Sequence, residues 1–217
     1  MKFKGELHDI KLINFSVSLE EVLPLVPKSL KVLQENGRAI ISMVDVQLKS
    51  MQPNILPVLK FGYRHVAFRL LLDDSEFNKN GKKPKGIYFL KSFSNKPILN
   101  FFGNLISSYK LTNAKVEGYF DAFSLKQNGN YIDYALDPYS SCENETSLYN
   151  KIHRIDRAYA TKKDDVFMTK IMRKHWPIEP IKCYHFATNF FKSAQFLGAF
   201  RVKEMISYTW ENPKQIA

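Results

Sequence analysis

The chain has 217 residues and a formal net charge of +11, from 32 Lys and Arg against 21 Asp and Glu. That length fits one domain spanning 1–217 that can bury a core without staples. Two cysteines, Cys142 and Cys183, lie far apart without CxxC spacing, which argues against a disulfide framework or a zinc site.

Composition narrows the class further. The aromatic fraction is 14%, with 17 Phe and 11 Tyr, which suits strands and pocket linings better than surface helices. The start, Met1-Lys2-Phe3-Lys4-Gly5-Glu6, has no apolar h-region, so no signal peptide is read there and the cytoplasm is the expected location. No run of about 18 apolar residues suggests a membrane-spanning helix. The basic residues are spread along the chain, and the densest group (Lys79, Lys82, Lys83 and Lys85) falls in what reads as an exposed hairpin loop. A solvated surface accounts for the charge. A basic nucleic-acid-binding module is the alternative, without an RNA-recognition or helix-turn-helix signature to support it.

In chain order, Ser18-Leu19-Glu20-Glu21 reads as a capping box opening a short helix through Leu23, limited by Pro24 and Pro27. Asn36-Gly37 is a turn signal before a strand over Arg38–Val46. Strands are expected over Tyr63–Leu72 and Gly86–Phe93. A second helix is expected from Lys96-Pro97, with Ile98, Leu99, Phe101, Phe102 and Leu105 on its apolar face. Further strands are read over Lys115–Lys126 and Asn130–Leu136, around the turn Asn128-Gly129. Arg157–Thr161, Val166–Lys174, Lys182–Lys192 and Arg201–Trp210 complete the set. Many short strands between turn signals predict a mainly β (α+β) closed or two-sheet architecture.

No phosphate loop, HExxH or GxSxG motif is present, and no cofactor is expected. The five histidines (His8, His65, His153, His175 and His185) have no helical metal-site spacing, so no metal is expected. Asn144-Glu145-Thr146 matches a glycosylation sequon that a cytoplasmic chain would not use.

Four segments carry a resemblance. Leu23-Pro24-Leu25-Val26-Pro27-Lys28-Ser29-Leu30, Asn36 to Val44, Gly86 to Phe93, and His175-Trp176-Pro177-Ile178-Glu179-Pro180 occur in the order of matching segments in the YqjF-like family. That family lies within the acetoacetate-decarboxylase-like superfamily. The resemblance implies a twisted, conical β-barrel or paired antiparallel sheets, closed by a few short helices around an internal cavity. It also implies a chemistry. Acetoacetate decarboxylase forms a Schiff base through one of two adjacent lysines, whose pKa is lowered by its pocket. The matching place here is Ser107-Ser108-Tyr109-Lys110-Leu111. Tyr109 then replaces the nucleophile and Lys110 takes the second lysine's place, so Schiff-base decarboxylation is not expected. An alignment shifted by one makes Lys110 the candidate catalytic residue.

The family's Asn-Val-Arg-Thr strand reads His65-Val66-Ala67-Phe68 here, without the arginine. Arg64 lies on the opposite face from His65, and Arg69 is expected on His65's face only through a bulge. Lys91 shares a face with Phe89 and Phe93 by alternation, as a desolvated lysine or one that snorkels at a barrel rim. The expected ligand groups are Tyr88, Lys91, Tyr109 and His65, with Lys110 balancing a carboxylate. Expected partners are a small organic acid or carbonyl compound, with a homo-oligomer left open; nucleic acid and membrane are not expected. A structural or interaction protein with an obsolete active site is the further alternative.

Overall fold

A computed structural model describes residues 2–54, 58, 60–77, 86–96, 111–119, 121–140, 146–153, 155–162 and 165–216. The expected second helix, the lysine-rich loop, Tyr109 and Lys110 lie outside the described residues, apart from Lys96 at that helix's start.

The architecture is mainly β, as the sequence predicts. Two strands of 16 residues organise it, β1 (Phe3–Ser18) and β3 (Arg38–Pro53), antiparallel along almost their whole length. The turn before β3 follows from its residues. Asn36 and Gly37 have φ of 50° and 72°, and join β2 (Gln34–Glu35) to β3 in a tight hairpin. Asn128 and Gly129, at 48° and 78°, do the same between β8 (Ala122–Gln127) and β9 (Asn130–Asp137).

Seven strands form a ring. β3 pairs with β4 (Phe61–Leu71), β4 with β5 (Gly86–Ser94), and β5 in parallel with β10 (Arg157–Lys162). β10 pairs with β11 (Asp165–Arg173), β11 with β14 (Ile206–Trp210), β14 with β1, and β1 back to β3. Closure leaves these seven strands without an open edge between them. β1 and β3 run beyond the ring. There β1 pairs with β13 (Gln195–Val202), which leads through β12 (Glu179–Thr188), β9 and β8 to β7 (Lys115–Tyr119). This second sheet packs against the outer face of β3, β4 and β5.

Each face of the shared strands therefore has its own core. The outer core joins Phe15, Met43, Phe68 and Phe93 to Phe123, Tyr134 and Phe191 of the second sheet's side. Phe68 meets Phe93 and Phe190 edge to face, with ring centroids at 5.7 and 5.1 Å. The inner core lies within the ring and beneath helix α2 (Thr146–Ile152), whose Leu148 and Ile152 pack with Leu12 and Phe200. A Cβ at Gly198 would meet Leu148 Cδ2 at 3.1 Å, so a side chain there needs that leucine to give by a few tenths of an ångström.

Several details differ from the sequence reading. Lys115–Lys126 divides into β7 and β8, and Arg201–Trp210 contributes to both β13 and β14. Helix α1 (Leu19–Val22) forms, but Ser18 makes no side-chain cap bond. Glu21 reaches across instead, accepting from Lys192 N at 2.6 Å and from Ser193 N and Oγ at 3.0 and 2.6 Å. Burial works against the Glu21 charge, but these bonds hold its pKa below the usual range.

Candidate functional site

Strand register decides which side chains face into the ring. Arg69 pairs with Ser42 and Phe89, Ala67 with Val44 and Ser92, and His65 with Val46 and Ser94. Carried on, Ile87 pairs with Ala158, Ala158 with Thr169, Arg173 with Tyr208, Ile206 with Leu7, and Leu7 with Leu48 of β3. The path returns to its starting side, so these residues share the inner face.

On that face is a cluster of polar groups among aromatic ones. Arg69 is 8% exposed. Its Nε donates to Ser42 O at 3.0 Å and its Nη2 to Ser42 Oγ at 2.8 Å, while no carboxylate pairs with it among the described residues. Burial, then the charge of Arg173, pushes its pKa down to about 9, so it stays protonated at neutrality. Arg173 is pushed down to about 10 by burial, with Asp156 opposing. It donates to Ile155 O and stacks 4.3 Å from the Trp176 ring centroid.

His65 Nε2 is sealed from solvent without a hydrogen-bond partner, and so is Ser92 Oγ. Burial first, then Arg69, lowers the His65 pKa to about 4, so the ring is neutral at pH 7. Tyr63, on the same strand, is raised to about 12 by burial and remains a phenol. Tyr208 is held well above its usual range by burial, then by Tyr63, and donates to Met51 Sδ at 2.8 Å.

The depressed His65 has a pH consequence. Below about pH 6.5 the unfolded chain binds a proton that the folded chain refuses until about pH 4. Stability therefore falls as pH drops through that window, by about 2–3 kcal/mol from this residue. Urea unfolding at pH 7 and pH 4.5 should show the loss, and His65→Gln should flatten it. An equal pH slope in the variant would contradict the assignment.

Placement of the sequence candidates is mixed. His65 is on the inner face. Arg69 joins it without a bulge in β4, contrary to the sequence expectation, because four residues are two full periods of a strand. The bulge lies in β5, where Phe68 pairs with Lys91 and Arg69 with Phe89, leaving Leu90 extra. It turns Tyr88 and Lys91 to the outer face together and leaves Phe89 inside. Tyr88 packs against the outer core. The Lys91 ammonium lies 5.8 Å from the Phe190 ring centroid. Neither shares a face with His65, so the structure does not assemble the cavity grouping expected from the sequence. Arg173 and Ser92 were not singled out, because only pairing across the ring reveals their facing.

A second polar centre braces the outer face. Asp45, fully buried, accepts from Arg64 Nε at 2.7 Å, Arg64 Nη2 at 2.6 Å and Tyr134 Oη at 2.6 Å. Burial opposes the Arg64 charge, yet Asp45 raises its pKa overall. This centre fastens β9 to the barrel strands. No group of three or more potential metal ligands occurs among the described residues. No helix among them is long and apolar enough to cross a membrane.

Comparison with known proteins agrees with this architecture. The family model DUF2071, described as an uncharacterized conserved protein, matches residues 4–209. No curated protein matches the chain. An acetoacetate decarboxylase-like enzyme from Sphingomonas wittichii RW1 superposes with a TM-score of 0.66 at 8% identity, over 99% of this chain and 92% of that one. Acetoacetate decarboxylase from Legionella pneumophila gives 0.61 at 10% identity, over 100% and 88%. The enduracididine biosynthesis enzyme MppR, solved in complex with pyruvate, gives 0.60 at 10% identity, over 100% and 90%. At such identities the likeness shows a shared fold, the acetoacetate-decarboxylase-like one.

Proposed function

We propose, from the premise that this chain belongs to the DUF2071 family of uncharacterized conserved proteins, that its barrel binds a small organic acid or carbonyl compound in an internal cavity, without Schiff-base decarboxylation. The observation that carries this reading is Arg69, a guanidinium on the inner face with no carboxylate partner among the described residues. A buried charge without a counter-charge is costly, and a ligand carboxylate supplies what is missing through charge-assisted bonds. Neutral His65 and Ser92 Oγ, both without partners and both sealed in the ligand-free chain, would meet the ligand's carbonyl or hydroxyl oxygen when the lining side chains part to admit it. That MppR was solved with pyruvate makes pyruvate a sensible first probe.

Two measurements test the reading. Calorimetric titration with pyruvate and a panel of short organic acids should show binding that weakens as pH rises above neutrality only slightly, because Arg69 keeps its proton up to about pH 9. No binding by any acid would overturn it. Borohydride reduction in the presence of pyruvate or acetoacetate should give no covalent adduct by mass spectrometry. This follows from the resemblance, which sets Tyr109 at the nucleophile's place. An adduct abolished by Lys110→Ala would restore the lysine mechanism. The nucleic-acid alternative rests on net charge and aromatic content. A cytoplasmic location is part of the same proposal.

A further inference from the structure

We propose that the acid held in the barrel is a dianion, a small dicarboxylic acid, with one carboxylate on Arg69 and the other on Arg173. This rests on the reading of the barrel as an organic-acid site and adds the ligand's class.

Charge balance inside the closed ring favours two carboxylates. Arg69 projects from β4 and Arg173 from β11, on the inner face of strands separated by β5 and β10. Neither has an ion pair among the described residues. Asp156, the acid that acts on Arg173 through space, is half exposed and pairs with Arg157 at 3.6 Å. The remaining polar groups named on this face (His65, Ser42, Ser92, Tyr63 and Tyr208) bring no negative charge at neutral pH. The two cations also repel, since Arg173 is the charge that lowers the Arg69 pKa. A monocarboxylate relieves one of them. A dicarboxylate relieves both and turns their mutual repulsion into a joint preference for negative charge.

Arg173 has a structural use as well, through Ile155 O and the Trp176 face. That use occupies one N–H and the plane of the guanidinium. Among the described residues no acceptor pairs with its other N–H groups, and the stacking fixes where the fork lies. His65 and Ser92 lie on β4 and β5, on the Arg69 side of the ring.

The test is calorimetric titration of the intact chain with succinate, butyrate and inorganic phosphate, alongside pyruvate. Succinate is expected to bind about 10- to 100-fold more tightly than butyrate, the gain of one charge-assisted anchor. In Arg173→Gln that preference should fall below about threefold, because succinate loses its second anchor while butyrate loses only a through-space attraction. Arg173→Lys keeps the charge without the fork and should retain an intermediate preference, which preserves the test if the Gln variant fails to fold. Equal affinity for succinate and butyrate in the wild type overturns the dianion and leaves the single-acid site standing. Phosphate tighter than succinate overturns the dicarboxylate class. No binding by pyruvate, butyrate or succinate overturns both this inference and the reading beneath it.

Discussion

Arg69→Met is expected to weaken acid binding by a factor of about 30 or more while leaving the stability of the ligand-free protein within about 1 kcal/mol of the wild type, or above it. Arg69 is 8% exposed, bonds only to Ser42 among the described residues, and has a second arginine as its charged neighbour. Such a charge is a burden on the empty fold. Replacing it with an apolar side chain of similar length removes the desolvation penalty and fills the same space, an exchange that is often neutral or stabilising. The lost bonds to Ser42 O and Oγ offset part of that gain, at about 1 kcal/mol each. The unfolding free energy should therefore lie within about 1 kcal/mol of wild type, or above it. Binding should weaken by about 2–5 kcal/mol, a factor of about 30 or more. This pairing of effects separates a ligand anchor from a structural arginine. A variant destabilised by about 3 kcal/mol or more that still binds acids would assign Arg69 to the fold alone.

The opposite pattern is expected at Asp45. Asp45→Ala should lower stability by about 3–5 kcal/mol, because it strands the Arg64 guanidinium and the Tyr134 hydroxyl at a buried junction. For a chain of this size that is a fall in Tm of about 6–20 °C. Arg64 keeps 19% exposure and stacks 5.1 Å from the Phe123 ring centroid, so its charge is not wholly trapped, which places the effect toward the lower end. Tyr134→Phe removes one bond and leaves the ion pair, and should cost about 1–2 kcal/mol. Thermal and urea unfolding read both. A loss under about 1 kcal/mol for Asp45→Ala would show that this network does not hold the second sheet to the barrel.

Why β1 escaped the sequence reading is instructive. Ile10 to Val17 is Ile-Lys-Leu-Ile-Asn-Phe-Ser-Val, without clean alternation, because this stretch lies between two cores. Ile13, Phe15 and Val17 face the outer core, and Ile10 and Leu12 the inner one. A strand buried on both faces loses the period-2 signal. The Asn-Gly hairpins were legible because their positive φ values are set locally. The capping box at Ser18 was not reliable, because Glu21 finds better partners in Lys192 and Ser193 far along the chain. Helix α2 is a single short amphipathic segment whose Leu148 and Ile152 signal too little apart from the barrel end they cover.

The site was legible only in part. His65 stood out as an ionisable group in an apolar strand. Arg69 follows from the same alternation once its spacing from His65 is counted as two periods. Tyr88 and Lys91 were set on different faces by alternation, and one extra residue, Leu90, brings them together outside the ring. Arg173 is more than a hundred positions from Arg69, and no local pattern marks it as facing inward. Its place depends on the chain of pairings from β4 through β5 and β10 to β11.

The barrel interior is proposed to hold an organic acid on Arg69. A crystal structure of the protein grown with succinate or pyruvate tests it most directly. Density for the acid is expected inside the ring, with a carboxylate within hydrogen-bond distance of the Arg69 guanidinium and an oxygen near His65 Nε2. A dry interior filled by its own side chains, with Arg69 closed off and the acid absent from the ring, would contradict it.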